Sequence, residues 1–179
     1  NRPQSMNRFP NGIDGPGFYQ KDVDVEKIPS WLKTKSVYSK SNDADIDYLI
    51  CNDKATLLYM ANLGCIEINP WNSTIKKPEY PDWVVIDIDP GKENDFEAVV
   101  ETALTVKATM DALETDCYCK TSGATGLHVY IPLGAKYHYD TVKIFAELIA
   151  HEVQFKPRKQ LVVQIEDASG TLVLRGGAD

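Results

Sequence analysis

Apolar residues recur along the chain at two different spacings, and these spacings predict which segments are helices and which are strands. Helical spacing predicts helices over 45–62, 95–113 and 139–155. Short apolar runs bounded by turn residues predict strands over 65–68, 84–89, 117–121, 127–133, 161–165 and 171–174. Residues 1–45, rich in Pro, Gly and Asn, are predicted to be loop with short strands. This order of helices and strands predicts a mixed α/β fold.

The composition of the chain is typical of one globular domain, or of two small lobes that share a core. Its 179 residues are 43% hydrophobic and 25% charged, and no apolar run approaches the roughly 20 residues of a membrane-spanning helix. No apolar signal region opens the sequence, so the pattern predicts no membrane partner and no secretion. The four cysteines lack zinc-finger spacing and are predicted to be reduced, as in the cytosol.

Charge is distributed unevenly along the chain. The formal net charge is −7, which argues against broad, nonspecific binding of nucleic acid. Residues 1–40 nevertheless carry a net charge of +3, whereas the remaining residues carry −10. The basic end is therefore a candidate for phosphate contacts and the acidic remainder for cation binding, although ordinary surface scatter would give the same difference.

Two aspartates at the end of the strongest predicted strand are the first candidates for chemistry. Asp87 and Asp89 are two positions apart, so both side chains point to one side of the strand. Like charges placed together are unfavourable unless a cation lies between them, and hard oxygen ligands favour Mg²⁺ or Mn²⁺. Solvated acids, or an Asp89 that caps the turn at Pro90 and Gly91, would give the same pattern.

A second candidate is the segment Lys-Thr-Ser-Gly-Ala-Thr-Gly-Leu-His at residues 120–128. Its small residues predict a strand, a tight loop and a second strand, and backbone N–H groups of such a loop can bind phosphate. Lys120 adds a positive charge, Ser122 a hydroxyl donor and His128 an imidazole close to the loop. The alternative is a Gly-rich hairpin turn with a structural histidine.

Basic and aromatic residues are interleaved near the N-terminus, at Arg8, Phe18, Tyr19 and Lys21. This combination suits a nucleic-acid strand, because bases stack on aromatic rings while cations contact phosphates. The alternative is a loop that its aromatic side chains hold over the core.

The motifs occur together in an order that resembles a known family. They are Arg-Pro at 2–3, Asn-Arg-Phe-Pro-Asn-Gly at 7–12, Phe-Tyr-Gln-Lys at 18–21, Asp-Ile-Asp-Pro-Gly at 87–91 and the segment at 120–128. In this order they resemble the polymerase domain of bacterial ATP-dependent DNA ligase D, of the archaeo-eukaryotic primase superfamily. The similarity covers residues 1–157, and residues 158–179 form a tail that does not match.

The resemblance implies an α/β (α+β) fold with a primase-type mixed sheet, flanking helices and an RRM-like catalytic lobe, and further chain at both ends. It implies a nucleotidyltransferase that adds NTPs or dNTPs to a primer 3′-hydroxyl during non-homologous end joining. The implied partners are DNA ends, as primer–template or gapped duplex, together with a Ku-type protein and a ligase domain. The implied location is the bacterial cytoplasm, at the nucleoid.

The resemblance also implies a role for each candidate residue. Two divalent ions, Mg²⁺ or Mn²⁺, would be held by Asp87 and Asp89, with Asp179 as a third carboxylate. The incoming nucleotide would be bound by Lys120, Ser122, His128 and Arg8. The nucleic acid would be contacted by Phe18, Tyr19 and Lys21.

The chain departs from the family pattern before Arg2, where the basic segment of relatives is absent, and at two further places. Asn69 stands where many relatives have a histidine. The tail lacks the usual surroundings of the third carboxylate, so Glu166 and Asp167 are candidates beside Asp179. A noncatalytic nucleotide-binding or DNA-end-binding module is therefore an alternative. A metal-dependent glycosyltransferase that uses sugar nucleotides is another, although the loop with Ser122 disfavours it.

Overall fold

The computed structural model of the chain describes residues 1–39, 42–91, 94–155, 161–166 and 171–176. It divides into two compact units, unit 1 (Asn1–Lys76) and unit 2 (Lys77–Asp179). Each unit has its own five-stranded sheet and its own buried core. The side chains of each unit are therefore oriented by a separate set of contacts.

Unit 1 contains an antiparallel sheet and one helix. Its elements are β1 (Pro3–Arg8), β2 (Phe18–Gln20), β3 (Thr34–Ser39), β4 (Ala44–Ile50), α1 (Lys54–Asn62) and β5 (Cys65–Pro70). β1 pairs with β2, β4 and β5, while β3 pairs with β4. The core consists of Met6, Val23, Leu32, Leu49 and Met60. The short strands expected before residue 45 are thus present, and one of them is central to the sheet.

The helix predicted over 45–62 is wrong in its first half. Ile46 and Leu49 match helical spacing but lie on β4, where pairing with β3 and burial hold them. The helix itself begins after Asp53, whose carboxylate accepts a hydrogen bond from the backbone N–H of Thr56 at 2.8 Å. Such an N-cap satisfies a donor that the first turn leaves unpaired, so the polar residue at position 53 sets the boundary.

Unit 2 contains a mixed sheet and two long helices. Its elements are β6 (Trp83–Asp89), α2 (Phe96–Ala112), β7 (Tyr118–Thr121), β8 (Leu127–Pro132), α3 (Tyr139–Phe155), β9 (Leu161–Glu166) and β10 (Thr171–Gly176). The strand order is β7-β8-β6-β10-β9, with β6 and β10 parallel and the other pairs antiparallel. The predicted mixed α/β fold is confirmed.

Apolar side chains from α2 and α3 pack on one face of the unit 2 sheet. The sheet contributes Val84, Ile86, Ile88, Leu127, Val129 and Ile131, and the helices contribute Val99, Val106, Met110, Val142, Ala146, Ile149, Ala150 and Val153. Successive strand residues point to opposite faces. The odd-numbered residues of β6 and the even-numbered residues of β8 therefore lie on the opposite face, which we call the polar face.

All four cysteines, each of them in the described part of the chain, are free thiols. Burial raises the pKa of the Cys65 and Cys117 thiols, which disfavours the reactive thiolate at both positions.

The longest helices of the described part, α2 and α3, have 17 residues each. Neither these helices nor α1 have the length and apolar character that crossing a membrane requires.

Candidate functional site

Three candidate residues of unit 2 lie side by side on neighbouring strands. Asp87 on β6 is opposite His128 on β8, and His128 is opposite Lys120 on β7. Directly opposite residues of antiparallel strands bring their Cβ atoms to about 5 Å from one another. The three side chains therefore form one row across the polar face, which we call the polar row.

Alternation along β6 explains why both aspartates lie on the polar face. Ile86 and Ile88 are fully buried in the core with the helices, and this turns Asp87 and Asp89 to the other side of the strand. The two carboxylates therefore share one face, as their spacing predicts. Asp89 is the last residue of β6, so the acids lie at the end of the central strand.

His128 and Asp87 are in contact within the polar row. Nε2 of His128 lies 3.1 Å from Oδ1 of Asp87, and the two side chains are only 23% and 22% exposed. The second ring nitrogen, Nδ1, is buried and makes no hydrogen bond within the described ranges. An unsatisfied buried polar atom costs about 1–3 kcal/mol. The imidazole thus contacts Asp87 through Nε2, while its Nδ1 is shielded from solvent.

The loop between β7 and β8 is closed by the backbone and hydroxyl of Ser122. Its N–H donates to the carbonyl oxygen of Gly126 at 3.0 Å. Its Oγ accepts hydrogen bonds from the backbone N–H groups of Gly126 at 3.0 Å and Ala124 at 3.3 Å. Gly123 adopts a φ of +97°, which a residue with a Cβ rarely tolerates. Ser122 therefore shapes the turn, and its hydroxyl proton remains to be donated.

Gly126 brings this loop into contact with the end of β6. A Cβ at position 126 would lie 2.5 Å from Oδ1 of Asp89, 2.6 Å from the carbonyl oxygen of Ile88 and 3.3 Å from Oγ of Ser122. Only glycine leaves room for such an approach. The loop and the two acids therefore occupy the same part of the polar face.

Arg8 in unit 1 is engaged in bonds that hold its own sheet together. Nη1 donates to Oε1 of Gln20 at 2.6 Å, and Nε donates to the carbonyl oxygen of Leu63 at 2.9 Å. The guanidinium carbon lies 5.1 Å from the centre of the Phe18 ring, a distance at which a cation and a ring attract. Arg8 therefore links β1 to β2 and to the segment after α1.

The neighbours of Arg8 in the N-terminal group point in different directions. Phe18 and Tyr19 are consecutive on β2, so their rings lie on opposite faces of the strand. Their exposed fractions are 47% and 63%, and Lys21, directly after β2, is exposed as well. Phe18 shares a face and a contact with Arg8.

The structure thus divides the candidate residues into two groups. Asp87, Asp89, Lys120, Ser122 and His128 come together on the polar face of unit 2. The unit 1 group consists of Arg8, Phe18, Tyr19 and Lys21. Asp179 and Asp167 lie outside the described residues, and Glu166 is the last residue of β9.

Sequence reasoning missed three aromatic residues on the polar face. The Trp83 ring centre lies 6.3 Å from that of Tyr118 and 6.0 Å from that of Tyr130, both in edge-to-face geometry. We call these three residues the aromatic cluster. A signal existed, because Tyr118 is two positions before Lys120 and Tyr130 two positions after His128, which places them on the same face.

The acids of the polar face fit a hard divalent cation in their chemistry. Asp87 and Asp89 offer carboxylate oxygens on one face of a strand end, the donors that Mg²⁺ and Mn²⁺ prefer. Among the described residues, no group of three or more His, Cys, Asp or Glu side chains converges as a metal site. The pair is therefore suited to hold a cation only with ligands from outside this group, such as phosphate oxygens.

The unit 2 sheet is mixed, and helices cover one of its faces. Its other face carries paired acids at the end of the central strand. These features point to the same class, a primase-type polymerase domain, that the sequence motifs resemble. The sequence pattern of the family described as "LigD, primase-polymerase domain" matches residues 1–170. The chain belongs to this family. The match continues past residue 157, where the sequence predicts the end of the similar region, and that boundary stays a prediction.

Curated relatives described as non-homologous end joining proteins LigD come from several bacteria. The multifunctional non-homologous end joining protein LigD of Pseudomonas aeruginosa is 30% identical over 88% of this chain and 19% of its own length. The bifunctional LigD of Bacillus subtilis is 32% identical over 84% of this chain and 23% of its own length. The multifunctional LigD of Mycolicibacterium smegmatis is 29% identical over 98% of this chain and 22% of its own length. The chain thus spans about a fifth of the length of these curated relatives.

A solved structure shares the fold. It is the polymerase domain of Mycobacterium tuberculosis ligase D in complex with DNA, with a TM-score of 0.79 and 22% sequence identity. The match covers 97% of this chain and 63% of that chain. The primase-type fold that the resemblance implies is confirmed.

Proposed function

We propose that this chain adds nucleotides to the 3′-hydroxyl of a DNA end during non-homologous end joining, with two divalent ions. The observation that carries the proposal is the packing of the Ser122 loop against Asp89 beside the polar row. Acids and anion-binding groups meet there on one face, which is the combination that transfer of a nucleotide from its triphosphate requires. Membership in the LigD primase-polymerase family supports it.

Asp87 and Asp89 are the residues that would hold Mg²⁺ or Mn²⁺, with Asp179 proposed as a third carboxylate. When bound, such ions activate the primer hydroxyl and neutralise charge on the triphosphate. Asp87 also orients His128 through the contact between its Oδ1 and Nε2. Each acid therefore has a neighbour that ties it to the phosphate-binding side of the site.

Lys120, Ser122 and His128 are the proposed ligands of the incoming nucleotide's phosphates. Lys120 supplies a positive charge at the edge of the polar row. Ser122 can donate its hydroxyl proton while its lone pairs hold the turn. His128 lies between Lys120 and Asp87 across the strands, and its imidazole would contact a phosphate oxygen.

The unit 1 residues and the partners complete the proposal. Phe18 and Tyr19 would stack on a template or nucleotide base, and Lys21 would contact phosphate. Arg8 would contact the nucleotide through the guanidinium N–H groups that do not already donate to Leu63 and Gln20. The proposed partners are NTPs or dNTPs, DNA ends as primer–template or gapped duplex, a Ku-type protein and a ligase domain, in the cytoplasm at the nucleoid. A related polymerase domain has been solved in complex with DNA.

Primer extension on a gapped, 5′-phosphorylated duplex tests this function, with each NTP or dNTP and either Mn²⁺ or Mg²⁺. Asp87→Asn and Asp89→Asn should each reduce nucleotide addition at least about a hundredfold, because metal binding contributes several kcal/mol to the transition state. Asp116→Asn is the matched control, since this acid is exposed in the loop before β7. Full activity in either site variant would contradict the assignment.

A noncatalytic nucleotide-binding or DNA-end-binding module is the second candidate. It is favoured by the observation that two acids, and no third, converge on the polar face among the described residues. This alternative predicts that the wild-type chain binds Mn²⁺–ATP but extends no primer under any of these conditions.

A further inference from the structure

Tyr130 lies on the polar face in the position next to the polar row. On β8 it is two residues after His128, and it is opposite Val85 on β6 and Tyr118 on β7. Two residues along a strand span about 7 Å. The Tyr130 ring is therefore close enough to contact side chains of the row without lying among the acids.

The ring contacts two of the proposed phosphate ligands. Nζ of Lys120 lies 5.6 Å from the centre of the Tyr130 ring, within the range of a cation–π attraction. The His128 ring centre lies 6.4 Å away, with the two planes tilted by 44°. The Tyr130 and Trp83 ring centres lie 6.0 Å apart in edge-to-face geometry. Trp83 thus contacts a ring that also lies beside Lys120 and His128.

We propose that Tyr130 is a positioning residue for nucleotide binding, which acts by holding the Lys120 ammonium group beside His128. This inference rests on the proposed function, in which both residues bind phosphate. A lysine side chain has many rotamers, and restricting them costs up to about 2 kcal/mol. The Tyr130 ring restricts Lys120 before the nucleotide arrives, so its loss raises the KM for the nucleotide and leaves kcat nearly unchanged.

Tyr130→Leu tests the inference in the primer-extension assay. A cation–π contact at a partly exposed site contributes about 0.5–1 kcal/mol, so the KM for the nucleotide should rise about twofold to fivefold. Tyr130→Phe keeps the ring and should restore the wild-type KM. Tyr118→Leu is the matched control, because this ring belongs to the aromatic cluster through Trp83 and is 56% exposed; its KM should equal that of the wild type.

A double-mutant cycle with Lys120→Met separates positioning from a purely structural role. If Tyr130 acts through Lys120, Tyr130→Leu has no further effect on KM once Lys120 is replaced. An equal rise of KM in the Lys120→Met background would overturn the inference, and so would failure of Tyr130→Phe to restore KM. A fall in kcat that follows a fall in the melting temperature would overturn it as well.

Equilibrium binding of a fluorescent ATP analogue with Mn²⁺ distinguishes failure of this inference from failure of the proposed function. A wild-type chain that binds the analogue but extends no primer refutes nucleotide addition, while Tyr130→Leu must still weaken binding about twofold to fivefold. Unchanged binding by Tyr130→Leu refutes the positioning role, whatever the outcome of the extension assay.

Discussion

Arg8 in unit 1 and Lys120 in unit 2 are both basic residues beside an aromatic ring, yet their surroundings differ. Arg8 donates to Gln20 and Leu63 and stacks on Phe18, so its side chain is part of the framework of unit 1. Lys120 lies at an exposed edge and contacts the ring of Tyr130. Residue type thus identifies a candidate for ligand binding. The hydrogen bonds that the residue already makes determine how many of its donors a ligand can still use.

The largest expected effect on stability and activity comes from unit 2, where a larger residue at position 126 would fill the space beside Asp89. Gly126→Ala places a methyl group against Asp89 and the backbone of Ile88, so the loop or the strand end must shift. We expect a stability loss of about 1–3 kcal/mol from overpacking, together with loss of nucleotide addition. Chemical denaturation and primer extension measure the two effects.

Gly134→Ala is the control for this variant. Gly134, unlike Gly126, has a positive φ, +62°, and a Cβ there meets nothing closer than 3.7 Å. The substitution should cost about 1 kcal/mol of stability through backbone strain and leave nucleotide addition intact. If both glycine variants lose activity to the same degree, the loop has no special place in the site.

Replacing Arg8 and Lys120 with Met, one at a time, tests whether Arg8 is structural and Lys120 is not. Arg8→Met should lower the free energy of unfolding by about 1–3 kcal/mol, because two hydrogen bonds from a charged group are lost. Lys120→Met should change stability by less than about 0.5 kcal/mol, as is usual for an exposed site, but raise the nucleotide KM about tenfold or more. Because Arg8 is also a proposed nucleotide contact, its replacement should raise the nucleotide KM as well; a normal stability for Arg8→Met would contradict its structural role in unit 1.

The smallest expected effect is a loss of stability at acid pH, which arises at the Asp53 N-cap in unit 1. Hydrogen bonds from the backbone and side chain of Thr56 hold the pKa of the Asp53 carboxyl below its ordinary value. A lowered pKa in the folded state stabilises the fold above the unfolded-state pKa, and this stabilisation is lost as the pH falls through the folded-state pKa. The melting temperature of the wild type should therefore approach that of Asp53→Asn in acid. A constant difference between the two across this range would contradict the assigned cap.

Sequence reasoning predicts local features of the fold well. Alternation places Asp87 and Asp89 on one face, glycines mark the turn before His128, and the helical pattern over 139–155 coincides with α3. These features depend on residues close together in the chain, so their physics is readable from a short window.

Features that depend on distant residues could not be predicted in the same way. Ile46 fits a helix by its spacing, and only pairing with β3 makes it a strand residue. Arg8 meets the carbonyl oxygen of Leu63 across 55 positions, so its structural role was invisible. The register that places Lys120, His128 and Asp87 in one row is likewise a property of strand pairing, not of any single segment.

The turn that Ser122 closes affects the rate of ligand association and the free energy spent on ordering the site. Its hydrogen bonds form as the chain folds, so the loop is already ordered and the Ser122 hydroxyl is already in place when a polyanion arrives. Ordering flexible groups at a binding site typically costs about 0.5–1.5 kcal/mol for each side chain. A preorganised loop avoids this cost. Diffusional encounter with the ligand, and not rearrangement of the loop, then limits the association rate.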